Sequence, residues 1–229
     1  MKRLLITHII CLFLTVHALA QPGTPDYSFG DGGGIKTYNA SHGWISDMKM
    51  LPGDSMVIAG CFDANFVIFK CDKDGRVDGN FGVPQQDYYN YQDARSFLDV
   101  DSKGRTVVVN NQRQTLFRYL PDGSKDLSFG TNGMTQIPQY GISQKVIAQH
   151  DGKILALTTY PGQLIRYNVD GSLDATFNHT SIINFSGGSM LLQPDGKIIV
   201  MGSQSTSSVY RVRFNSDGSQ DESFGKANI

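Results

Sequence analysis

The chain has 229 residues, with 20 Lys and Arg against 21 Asp and Glu and a formal charge of −1. That length supports one domain with a substantial core. Neither sign of charge dominates any block, so nothing points to a nucleic-acid partner or a membrane-surface role.

The N-terminus carries Lys2-Arg3, an apolar run from Leu4 to Leu19, and Ala18-Leu19-Ala20 just before Gln21. A basic start, a short apolar stretch and small residues at the cleavage site read as a secretory signal peptide cut after Ala20. The run is short for a bilayer span and is broken by His8 and His17. A buried N-terminal helix is the alternative. A lipid anchor fits less well, since Cys11 lies inside the apolar run behind Ile9-Ile10. The protein is therefore expected to be secreted or extracytoplasmic, with no membrane span. Residues 21–25, holding Pro22 and Pro25, read as a linker.

From Asp26 onward one unit is copied. Asp74-Gly75, Asp122-Gly123, Asp170-Gly171 and Asp217-Gly218 recur at a spacing of 47 or 48 residues. Phe29, Phe81, Phe129, Phe177 and Phe224 mark the same point in successive copies. Such a period means one supersecondary unit, stacked. The units run over residues 26–77, 78–125, 126–173 and 174–220, with the start of a fifth at 221–229.

The third unit shows the grammar best. Extended runs are expected at Met134–Pro138, Gln144–Gln149, Ile154–Thr159 and Gln163–Asn168, separated by Gly-, Asp-, Asn- and Pro-rich turns. Short runs between such breakers are strand-and-turn grammar, and no long window has a helical period. Leu51-Pro-Gly-Asp-Ser, Asp101-Ser-Lys-Gly-Arg, Gln149-His-Asp-Gly-Lys and Gln193-Pro-Asp-Gly-Lys each precede a strongly apolar run. Asp-Gly between such runs signals a hairpin, here expected to use type I′ turns. The fold class is thus all-β: a β-propeller-like array of about four four-stranded antiparallel blades, closed or open. A β-helix would not need so many hairpin turns, and a sandwich leaves the period unexplained. The fragment of a fifth unit means either a closed four-blade ring with a spare tail or an array cut short. An open array would expose an edge able to pair with another copy.

The segments Leu164–Phe177, LIRYNVDGSLDATF, and Leu191–Gly202, LLQPDGKIIVMG, resemble the delta-60 repeat family. The resemblance covers residues from Asp26 onward and is sharpest in the third and fourth units. It is degraded in the first unit, where Pro52-Gly53-Asp54 replaces Asp-Gly-Lys, and in the second, with Lys103-Gly104-Arg105. It implies a propeller-like fold and export from a bacterial cell. It brings no catalytic residues.

Four groups of residues could carry chemistry. Asp122/Asp126 and Asp170/Asp174 repeat in the DGSxDxSF turns, and Asp72, Asp74 and Asp78 form an oxygen-rich loop with some likeness to a Ca²⁺ site. Asx-type bonds to turn N–H groups explain the same carboxylates without a metal. Lys70, Arg118, Arg166 and Arg213 form a basic ladder, each four residues before a turn Asp. They are expected to brace adjacent blades, a ring around an anion being the other reading. Cys61 and Cys71 are expected to face Ile68 and Ile58 across a hairpin turned at Asp63–Phe66, too far apart to bridge.

The fourth group is the rim opposite the Asp-Gly turns. Its loops differ between units, so the shared fold does not dictate them, and they hold His42, Trp44, Tyr88, Tyr89, Tyr91, Tyr140 and Tyr160. Aromatic, amide-rich loops suit a glycan or protein partner. No metal-ligand spacing links the histidines, and no nucleophile, phosphate or dinucleotide motif occurs. The sequence therefore implies no cofactor and a non-catalytic binding scaffold. A carbohydrate-active propeller enzyme, with carboxylates such as Asp47/Asp93, and a self-assembling structural fragment are the alternatives.

Overall fold

The computed structural model describes residues 23–30, 32–34, 43–63, 65–81, 96–110, 114–138, 142–159, 162–179, 181–182, 186–205 and 208–225. Strands β1 (Gly43–Met50), β2 (Met56–Phe62) and β3 (Asn65–Cys71) form the first sheet. The second holds β4 (Ser96–Val100), β5 (Thr106–Asn110), β6 (Thr115–Tyr119) and β7 (Met134–Gln136). The third holds β8 (Ile142–Ala148), β9 (Ile154–Thr159), β10 (Gly162–Tyr167) and β11 (Ser181–Ile182). In the fourth are β12 (Ser186–Leu192), β13 (Ile198–Ser205) and β14 (Ser208–Phe214). All pairings between these strands are antiparallel. No helix occurs among the described residues, and the architecture is that of a propeller-like array.

The middle strands are apolar throughout because both their faces are covered. Every residue of β5 (TVVVN) and of β9 (ILALTT) is buried. Alternate side chains of one strand serve different interfaces. Ile154 and Ala156 pack with Val107, Val109 and Leu116 of the second sheet. Leu155 and Leu157 join Val200, Val212 and Phe214 of the fourth. The first and second sheets share a third cluster containing Val57, Ile68, Val108 and Phe117. The first strands of the sheets pack in series, β1 on β4, β4 on β8 and β8 on β12. Among the described residues, no packing of that extent joins β12 back to β1. Each sheet thus has a leading face, toward its successor, and a trailing face.

Sheets and sequence units are out of phase. Residues Met134–Gln136 open the third unit, yet β7 pairs with β6, placing Leu116 opposite Thr135. β11 likewise pairs with β10. Each of these sheets takes its outermost strand from the unit that follows. Residues 35–38, at the position of β7 in the first unit, lie outside the described residues, and Gly34 bridges Gly30 as Met134 bridges Gly130.

Two local expectations need correction. The first hairpin already pairs Phe62 with Asn65, tighter than the four-residue turn expected, so Cys61 faces Phe66 and Cys71 faces Met56. Asp63 at φ 46° permits the short turn. Both cysteines are buried thiols. The Asp-Gly-Lys hairpins are not type I′. At residues 149–153, Gly152 N–H donates to Gln149 O and Gln149 N–H to Lys153 O, and only Gly152 has positive φ, at 84°. This is a three-residue loop, a type I turn closed by a left-handed glycine. Asp151 selects it by accepting the Lys153 N–H at 3.0 Å.

Candidate functional site

β2 starts opposite the end of β3, so both Asp-Gly turns of a unit fall on one rim. There the repeated polar residues are used up on one another. Asp126 takes Ser128 N–H and Oγ on one oxygen and Arg118 Nε at 2.7 Å on the other. Asp174 does the same with Thr176 and Arg166, and Asp221 with Ser223 and Arg213. Each guanidinium also lies over the phenylalanine that opens the following unit, 4.5 Å from Phe129, 4.3 Å from Phe177 and 4.5 Å from Phe224. Two of them cross a sheet boundary. Arg118 Nη1 donates to Val169 O, and Arg166 Nη1 to Ser216 O.

Lys153 and Lys197, from the Asp-Gly-Lys turns, add a second cation to Asp174 and Asp221 at 2.8 and 2.7 Å. At Asp174 burial opposes ionisation, but the bonds from Lys153, Thr176 and Arg166 outweigh it and hold the carboxyl far below its ordinary range. At Asp221 the bonds from Lys197 and Ser223 do the same. The basic ladder is therefore a set of braces in the second to fourth units, buried at Arg118 and Arg166 and half-buried at Arg213. Arg118, fully buried, is no anion ligand.

Phe81, Phe129 and Phe177 are buried plugs, while Phe29 and Phe224 are half-buried. A Cβ at Gly218 would stand 2.8 Å from the Phe177 ring and 2.6 Å from Asn178 O. Glycine there is required by contact as well as by its φ of 84°. Asp122 and Asp170 close their turns on Ser124 and Ser172.

In the first unit Asp72 accepts the N–H groups of Asp74 and Arg76, and Asp78 that of Asn80. Asp74 pairs on the surface with Lys73 and Arg76. These three carboxylates are thus spent on turns and cations. Among the described residues no group of three His, Cys, Asp or Glu side chains could hold a metal ion.

On the opposite rim Trp44 sits in β1 opposite Cys61 and is half-buried. His42, Tyr88, Tyr89, Tyr91, Tyr140 and Tyr160 lie outside the described residues, as does Asp93. Asp47 is placed on β1, where its Oδ2 accepts the Leu98 N–H of β4 at 3.0 Å and stands 3.8 Å from Lys145 Nζ. Asp99 of β4 repeats this toward β8, accepting Ala148 N–H, and pairs with Lys49 at 2.7 Å. Sequence reasoning missed this second set of stitches. Lys49 and Asp99 share one register position and Asp47 and Lys145 another, but each falls where other units carry a different residue type. Spacing alone could not find them.

The fold places the chain in known company. Residues 104–129, 149–177 and 193–224 match a beta-propeller domain family of unknown function, DUF5122. The chain is similar to a propeller family. Among solved structures, a protein of unknown function from Bacteroides caccae overlays with a TM-score of 0.55 at 11% identity, covering 84% of this chain and 70% of that one. That likeness concerns the fold alone. Looser overlays include the calcium-binding protein regucalcin from Agrobacterium tumefaciens, at TM-score 0.48 and 15% identity, over 72% of this chain and 55% of that one. YCF48 from Cyanidioschyzon merolae gives 0.47 and 11%, over 87% and 64%. No curated protein matches the chain. No helix among the described residues is long and apolar enough to cross a membrane.

Proposed function

We propose that this is an exported propeller-type repeat scaffold of the delta-60 kind. In this reading it is non-catalytic and binds a glycan or protein on the rim that bears Trp44. One observation carries the reading. The polar side chains shared by the units are consumed internally, in Arg–Asp–Ser braces and Asx turns, so the repeated chemistry is architectural. What remains for a partner is what differs between units, and those residues are the aromatic and amide-rich loops. Aromatic side chains give contact area at low entropic cost together with a polar edge.

The test is a glycan array and a panel of surface proteins probed with the purified chain and with a Trp44→Ala/Tyr89→Ala variant. Binding lost in the variant supports the rim. Binding unchanged places the contact elsewhere. Export is checked separately, by N-terminal sequencing of the protein recovered outside the cytoplasm, which should begin at Gln21.

A further inference from the structure

At the junction of the second and third sheets, on the rim of the Asp-Gly turns, lies a cleft of about 560 Å³. It is bounded by the outer strand β7, by the turn Asp170-Gly171-Ser172 and by a small hairpin. Thr131 N–H to Met134 O at 2.8 Å and Met134 N–H to Thr131 O at 3.2 Å close that hairpin. Asn132 and Gly133 form its two-residue loop at φ 54° and 81°, the left-handed pair that a type I′ turn requires. The turn on the other side is fixed in place. Gly130 N–H donates to Asp170 O at 2.7 Å, and the Phe129 ring leaves no room for a Cβ at Gly171. The next junction is built without the residues for such a wall. Ile182 stands opposite Gly162 as Ile137 bonds to Gln114, yet the stretch from Phe177 to Ile182 is three residues shorter than that from Phe129 to Ile137.

Repeated residues frame this cleft, and residues particular to one unit line it. Asp170, Gly171 and Ser172 belong to the shared turn pattern, whereas Thr131, Thr135 and Gln136 do not. Among the described residues, the hydroxyls of Thr131 and Thr135 and the Oδ2 of Asp170 make no hydrogen bond, Asp170 Oδ1 being the oxygen that holds Ser172. Gln136 donates its side-chain amide to Thr115 at 3.2 Å, which leaves its Oε1 as an acceptor. Its main-chain N–H points away from β6, because Ile137 N–H and Gly133 O are the groups that bond across that pair. The lining thus brings together acceptors, hydroxyls, one carboxylate and no cation, with Met134 as an apolar surface. An anion would meet the carboxylate with nothing to offset it. A single exposed carboxylate gains little from a lone cation. A few convergent polar groups beside an apolar one suit a small neutral ligand.

We propose that this cleft holds one neutral sugar residue. Asp170 Oδ2 accepts from adjacent sugar hydroxyls, Thr131, Thr135 and the Gln136 N–H serve the others, and Met134 lies against the C–H face of the ring. The carboxylate is the main anchor, since a hydrogen bond to a charged acceptor is about twice as strong as a neutral one. The proposal is independent of the rim reading, since it uses the opposite rim from Trp44.

The methyl glycosides of glucose, galactose, mannose and N-acetylglucosamine, titrated into the ¹⁵N-labelled chain, test it by NMR. At least one should move the amide signals of residues 130–136 and 171–172 saturably. Asp170→Asn keeps an oxygen for the Ser172 N–H but turns the free acceptor into a donor. It should weaken binding at least about tenfold, the loss of one charge-assisted hydrogen bond. Thr135→Val, close in shape, removes one hydroxyl and should weaken it about fivefold. Both variants should keep the wild-type circular dichroism spectrum, and if Asp170→Asn does not fold, Thr135→Val carries the test. No saturable shift with any of the four sugars overturns the proposal. So does equal movement of the same signals by sodium acetate or methylammonium chloride, or an affinity unchanged in either folded variant. Shifts confined to the rim of Trp44 would support the rim reading and overturn this one.

Discussion

Arg166 shows how much one side chain carries. Its Nε holds Asp174, its Nη1 reaches Ser216 O in the next sheet, and its plane covers Phe177. Lysine cannot do all three, because an ammonium is a point charge without a planar fork. Where Lys70 stands in this position and Asp78 in that of Asp174, the contrast is plain: Asp78 accepts the Asn80 N–H, and among the described residues no ion pair joins it to Lys70. Arg166→Lys should therefore behave as a large change. It removes a charge-assisted bond across a boundary, worth about 2 kcal/mol, which urea unfolding would register as a lowered midpoint at unchanged slope.

At the scale of the turn, the braces give stability a pH dependence. Burial opposes ionisation at Asp126 and Asp174, yet hydrogen bonds from serine or threonine, arginine and, at Asp174, Lys153 outweigh it. With Asp221 these carboxyls titrate below their ordinary value of 3.8. A carboxyl whose folded pKa is lowered contributes fully above the unfolded value and loses that contribution as pH falls through the folded one. Thermal melts should hold a level Tm from neutral pH to about pH 5 and drop below about pH 4. Asp174→Asn should be less stable at neutral pH and show a shallower drop.

These turns were also the most legible part of the sequence, since DGSxDxSF fixes a backbone shape by local bonds. Thr106–Asn110 and Ile154–Thr159 were legible too, as apolar runs between breakers. Register across the first hairpin was not, because a left-handed Asp63 can shorten a turn without any glycine to announce it. Nor was the phase of the sheets. A repeat read from sequence has no beginning, and only the pairing of Leu116 with Thr135 shows which sheet owns β7. The candidate site was legible only as a contrast, in that the loops of one rim disagree between units. Trp44 is the one rim aromatic whose place in the fold is described.

Across the whole molecule, among the described residues, the inner sheets are held from both sides and the fourth from its trailing face. Ile154 and Leu155, adjacent in β9, belong to different interfaces, so the third sheet cannot leave without exposing both neighbours. Amide exchange should therefore be faster in β13 and β14 than in β5 and β9, following local packing. Equal protection would mean that the array opens as one body.

The offset between sheets and units bears on the history of the chain. Since β7 and β11 are lent backward and Gly130 and Asn178 reach forward to the Asp170 and Asp217 carbonyls, the junctions after the second and third sheets are sewn by equivalent positions in the same order. A genetic exchange that adds or removes one period, with its endpoints anywhere within the unit, recreates an intact junction. Array length can then vary by whole units without any new interface having to be invented.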